Sequence, residues 1–184
     1  MVATNAVGLA ASLRARSLGH GVPVVLWGPN SPLWIVAALG VLAAGAVLVP
    51  VDDLAEEAQL EAVLRRSGSH MLLTTQQHEA ECAKLLGRLG AESWLLDTVA
   101  GEQIALISPN AAAPMLAPAT TDPAALFWTS GTTGSPKAFF LTHGNIASNV
   151  KRCALSRLSA RGIAHCCRCR SITPTLLSSG CSAP

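Results

Sequence analysis

At 184 residues, half of them hydrophobic and 13% charged, the chain is long enough for one ordinary domain with a proper core and too apolar for intrinsic disorder. The formal charge of +2 is unevenly spread: all eleven acidic residues lie at or before Asp122, and beyond it the only charged residues are Lys137, Lys151, Arg152, Arg157, Arg161, Arg168 and Arg170. Residues 1–20 are interrupted by Arg14 and Arg16, which argues against a secretory signal and makes a reducing, cytoplasmic setting the expectation.

Residues 4–18 are predicted as an amphipathic helix, with Val7, Ala11 and Leu13 among its apolar positions and Gly19 and Gly21 ending it. The apolar run 22–27, bounded by Gly21 and Gly28-Pro29, predicts a buried strand. Ser31 stands where it can cap a helix whose first turn carries Pro32. Residues 33–51 then run without a charge, a length that by itself suggests a membrane span. The preferred reading divides this run into a helix over 32–44, a stop at Gly45 and a strand over 46–49 leading to Pro50. A small membrane protein using 33–51 stands as an alternative.

The next helix is predicted over 54–66, with Leu60, Val63 and Leu64 on one face, Glu61 four residues before Arg65, and Gly68 as its stop. A strand over 70–74, a helix over 77–88 and a strand over 93–96 follow, and 98–122 forms an irregular, proline-punctuated connection. A strand over 124–128 leads to Thr129-Ser130-Gly131-Thr132-Thr133-Gly134-Ser135-Pro136-Lys137, after which a strand over 138–141 and a helix from His143 to about Arg152 are predicted. Strands alternating with helices predict an α/β fold, a parallel sheet with flanking helices.

That hydroxyl- and glycine-rich loop can turn backbone N–H groups and side-chain O–H groups toward an anion, and Lys137 adds a compact positive charge. It is not a Walker A loop: five residues on from Gly131 stands Pro136, and Ala138 follows Lys137. The dinucleotide pattern of three glycines also fails.

The full nonapeptide, followed by Leu141-Thr142-His143, closely resembles the phosphate-loop signature of the adenylate-forming (AMP-binding) superfamily, which includes acyl-CoA synthetases and peptide-synthetase adenylation domains. The segments 43–52 and Pro29-Asn30-Ser31 are similar to packing segments of the same family. The resemblance covers roughly 5–150 and implies an incomplete, N-terminal portion of the adenylate-forming fold. It implies that Thr129, Ser130, Gly131, Thr132, Thr133, Gly134 and Lys137 hold ATP phosphates, while His143 is a structural helix-start residue. The family activates a carboxylic acid with Mg-ATP and passes the acyl-adenylate to a thiol such as CoA. Its adenine, magnesium and catalytic-lysine motifs have no counterpart here, since the chain has no tyrosine and no acidic residue past Asp122. The expectation is therefore a ligase fragment, inactive alone, with no catalytic or metal-binding residue of its own. The alternative within the family is a nucleotide-phosphate-binding remnant without catalysis. Phe127-Trp128 and Ala138-Phe139-Phe140 look closer to the acyl-CoA synthetase branch, which brings fatty-acid metabolism and peripheral membrane contact among the expectations.

A first unit over 1–152 is expected to be followed by an aberrant or disordered Ser/Arg/Cys-rich tail over 153–184. His165, Cys166 and Cys169 hint at a zinc site but lack a second cysteine pair. The arginines carry no interleaved aromatics, so nucleic acid is not an expected partner. An unfinished sheet is expected to leave an apolar edge uncovered.

Overall fold

The computed structural model describes residues 2–96, 118–129 and 137–159, and only the backbone of Thr129 and of 155–159. Its elements are α1 (Val2–Ala15), β1 (Pro23–Trp27), α2 (Pro32–Ala44), β2 (Val47–Val51), α3 (Glu57–Ser67), β3 (Met71–Thr74), α4 (Gln76–Leu89), β4 (Glu92–Leu95), β5 (Pro123–Thr129), β6 (Lys137–Thr142) and α5 (His143–Ser159). The six strands form one sheet in the order β4-β3-β1-β2-β5-β6. All neighbours are parallel except β5 and β6, which form an antiparallel pair. The expected α/β fold of a parallel sheet with flanking helices is thus present, with one antiparallel strand added at its edge.

Strands β1, β2 and β3 read as unbroken apolar runs because they bury both faces. Val24 and Leu26 of β1 point into a cluster with Leu9 and Leu13 of α1 and Ala37 and Val41 of α2. Val25 and Trp27 point the other way, into a cluster with Leu60 and Leu64 of α3 and Cys82, Leu85 and Leu86 of α4. The helix following β1 therefore covers one face and those following β2 and β3 cover the other, so the sheet is doubly wound. Cys82 is packed so deeply that burial pushes its thiol up to about 11, which makes it an inert core residue.

Local chemistry sets the boundaries of α2 where the sequence predicts them. Ser31 Oγ accepts the Trp34 N–H at 3.1 Å, Pro32 opens the first turn, and Gly45 closes the helix with φ 78°. A helix of 13 residues extends about 20 Å, short of the roughly 30 Å hydrocarbon thickness. No helix among the described residues is long and apolar enough to cross a membrane, which removes the spanning reading of 33–51. The Glu61–Arg65 pair forms at 2.9 Å.

Three expectations need correction. The buried face of α1 is Ala6, Leu9, Ala10 and Leu13, whereas Val7 is 44% exposed, because α1 lies against α2 along that stripe. Helix α3 starts at Glu57, since Asp52 first folds an Asx turn by accepting the Leu54 N–H at 3.0 Å. The last helix runs to Ser159 instead of stopping near Arg152. The 98–117 part of the irregular connection lies outside the described residues.

Helices α1 and α2 pack closely, with Gly40 against Leu9. A Cβ built on Gly40 would stand 2.7 Å from Leu9 Cδ2 and 3.0 Å from Leu9 Cβ and Cγ. Gly40→Ala should therefore lower the unfolding free energy by about 1 kcal/mol or more, although Ala outranks Gly in helix propensity by about 1 kcal/mol. The midpoint of urea unfolding reads this out, and an increase would contradict the packing.

Candidate functional site

The phosphate-loop string begins at the last residue of β5 and ends at the first residue of β6. Thr129 and Lys137 face each other as the terminal pair of the antiparallel ladder, ahead of Trp128 with Ala138, Phe127 with Phe139 and Leu126 with Phe140. The Phe127 and Phe139 rings stack with centroids 5.6 Å apart, and this pair stiffens the hairpin just below its mouth. The structure thus brings Thr129 and Lys137 to the two sides of one loop, and Lys137 is exposed there. Ser130, Gly131, Thr132, Thr133 and Gly134 lie outside the described residues.

Strand β5 runs parallel to β2, with Leu48 opposite Ala125. The loop therefore leaves the sheet at the same edge as the carboxyl ends of β1, β2 and β3. In doubly wound sheets this is the edge where ligands bind. Helices α2 and α4 also begin there, capped by Ser31 and Thr75, and their N-termini add partial positive charge to the edge.

A polar brace ties the exits of β1, β2 and β3 together. Trp27 Nε1 donates to the Asp52 carbonyl at 3.0 Å, and the Trp27 ring meets His78 edge to face at 4.3 Å. His78 Nδ1 is 2.9 Å from Thr75 Oγ1, and Nε2 is 3.0 Å from Asp53 Oδ1. That second contact is close enough for an ion pair when the ring is protonated, but Asp53 Oδ1 makes no aligned hydrogen bond. The neutral form with the proton on Nε2 lets the Thr75 hydroxyl donate to Nδ1. Local sequence gives no signal for this brace, because the end of β1, the turn after β2 and the start of α4 supply its members.

The return from β6 into α5 is fixed as tightly. Thr142 Oγ1 accepts the Asn145 N–H at 3.2 Å and Asn145 Oδ1 accepts the Thr142 N–H at 3.0 Å, a reciprocal cap. His143 is the first residue of α5, in keeping with the structural role expected of it. Its N–H donates to the Asp122 carbonyl at 3.0 Å, and the Gly144 N–H donates to the Thr120 carbonyl at 2.8 Å. Burial pushes the His143 imidazole below its ordinary value; the Asp122 carboxylate pulls it upward and His20 adds to the lowering. The Thr-x-x-Asn spacing was a legible capping signal; the partners Asp122 and His20 were not.

Among the described residues no three His, Cys, Asp or Glu side chains converge so as to hold a metal ion, and His165, Cys166 and Cys169 lie outside those residues. The outer strand β6 leaves Phe140 59% exposed, and none of the described side chains of α5, residues 143–154, joins either core cluster.

Comparison with known proteins matches this chain to the AMP-binding enzyme family over residues 2–183. Sulfoacetate–CoA ligase of Cupriavidus necator is 34% identical over 151 residues, covering 80% of this chain and 30% of that protein. Surfactin synthase subunit 3 of Bacillus subtilis is 34% identical over 143 residues, covering 78% of this chain and 11% of that protein. Among solved structures, the N-terminal subdomain of NpsA from Klebsiella oxytoca, in complex with 3-hydroxyanthranilyl-AMSN, superposes with a TM-score of 0.63 at 26% identity, covering 79% of this chain and 34% of that one. The chain spans less than a third of the length of either curated relative.

The close approach at the β6–α5 corner yields a test. A Cβ on Gly144 would stand 2.7 Å from the Thr120 carbonyl oxygen, a backbone atom that cannot swing aside. Gly144→Ala should break the hydrogen bond between these residues and destabilise the chain by about 1–3 kcal/mol. Chemical denaturation measures this, and an unchanged midpoint would refute it.

Proposed function

This chain belongs to the AMP-binding enzyme family, and on that premise we propose that it is the phosphate-gripping, N-terminal portion of an ATP-dependent acid–thiol ligase. The observation that carries the reading is the hairpin geometry. The ladder pairs Thr129 with Lys137, so the string between them is closed at its base and leaves from the ligand-binding edge of a doubly wound sheet. In this reading Thr129, Ser130, Gly131, Thr132, Thr133 and Gly134 supply hydroxyl and backbone donors to the β- and γ-phosphates. Lys137 neutralises part of their charge at the mouth of the loop.

When bound, ATP supplies the electrophilic α-phosphorus and the pyrophosphate leaving group for activation of a carboxylic acid, with CoA as the acceptor thiol. The residues described fit the phosphate end of that ligand, through the exposed Lys137 beside Thr129. They offer no cluster of carboxylates for Mg²⁺, so no step is assigned to the metal here. The chain's own contribution is positional: it holds a leaving group in place and spreads its charge. The cytoplasm is the compartment consistent with this chemistry.

Isothermal titration with ATP tests the reading. Wild-type chain should bind, and Lys137→Ala should weaken binding about tenfold or more, the loss of one charge-assisted contact. Equal affinities would remove Lys137 from the site. Incubated alone with ATP and a panel of carboxylates, the chain should release no pyrophosphate above background, because it spans less than a third of its curated relatives. Turnover would overturn the assignment as a part that needs the remainder of the enzyme.

A further inference from the structure

We propose that His143, Asp122 and His20 form an acid-released latch that holds the β6–α5 return, and with it the outer strand that starts at Lys137, against the turn into β5. This concerns regulation of the phosphate site and rests on the reading above. Three separate stretches meet at the latch: the α1–β1 connection with His20, the turn into β5 with Asp122, and the β6–α5 corner with His143. The backbone bonds from His143 to Asp122 and from Gly144 to Thr120 close the corner.

The side chains there are unequally satisfied. Asp122 Oδ2 accepts the Ala119 N–H at 2.8 Å and lies 3.7 Å from His20 Nδ1. His143 Nε2 is buried and has no hydrogen-bond partner among the described residues. A neutral ring occupies that position at modest cost. An imidazolium there must bury a charged N–H without an acceptor, which is far more costly. The charged and titratable groups acting on His143 are Asp122 and His20. Asp122 is already engaged by Ala119 and His20, and a protonated His20 would repel a second cation.

The folded state binds the His143 proton less readily than the unfolded chain does. The latch is therefore intact above the ordinary imidazole value of about 6.5 and loses stability as the pH falls below it. The His20–Asp122 contact stands 63% exposed on the histidine side, and solvent screens the pair. Releasing the corner frees the outer strand, and the opposite end of that six-residue strand is Lys137.

Hydrogen–deuterium exchange on the whole chain at about pH 7.5 and about pH 5.5, corrected for intrinsic rates, is the test. Acidification should speed exchange in β6 and the start of α5 roughly threefold or more relative to β1 and β3, and His143→Gln should abolish that difference. Uniform acceleration across the sheet, or none, in the wild-type chain overturns the latch without reliance on any variant. ATP titration of both proteins at both pH values separates the two ideas. A loss of affinity on acidification that is larger in wild type than in His143→Gln supports the latch acting on the site. Acid-sensitive exchange with no ATP binding at either pH supports the latch and overturns the nucleotide reading.

Discussion

The parallel ladder between β2 and β5 is the contact on which the site depends. Strands β1, β2 and β3 are held by helices on both faces, whereas β5 and β6 form a hairpin that would be marginal alone. Pairing β5 beside β2 in the parallel sense sends its end toward the same edge as the ends of the central strands. An antiparallel pairing would put Thr129 and Lys137 at the opposite edge, away from the helix N-termini and the Trp27–His78 brace. The direction of one ladder therefore decides which edge of the sheet Thr129 and Lys137 reach.

The core supports this arrangement through its division into two clusters. Alternate residues of β1 fill one or the other, with α1 and α2 on one side and α3 and α4 on the other. The hairpin joins both, through Ala125 to the first cluster and Leu126 to the second. Phe127 and Leu141 pack against the first cluster and Trp128 against the second, while Phe140 on β6 is largely exposed.

The two ends of the hairpin have different chemistry. Its mouth opens on an edge rich in donors and partial positive charge, suited to an anion. Its base is locked by carbonyl acceptors, a carboxylate and two imidazoles, where acid matters more than phosphate. A short stiff strand joins them, so the state of the base can reach the mouth mechanically.

Local sequence determined most of the elements and the identity of the loop. Ser31, Pro32 and Gly45 bound α2 through interactions within a few residues, and unbroken apolar runs marked the doubly covered strands. The nonapeptide from Thr129 to Lys137 carried the family in its side chains alone. Tertiary structure decided what depends on distant partners: the buried stripe of α1, which α2 selects; the antiparallel return of β6; the meeting of Trp27, Asp53 and His78; and the corner where His143 meets Asp122 and His20. The physical reason is range. Capping and periodicity act over one or two turns of chain, whereas strand direction and burial are set by residues far apart in sequence that only the completed sheet brings together.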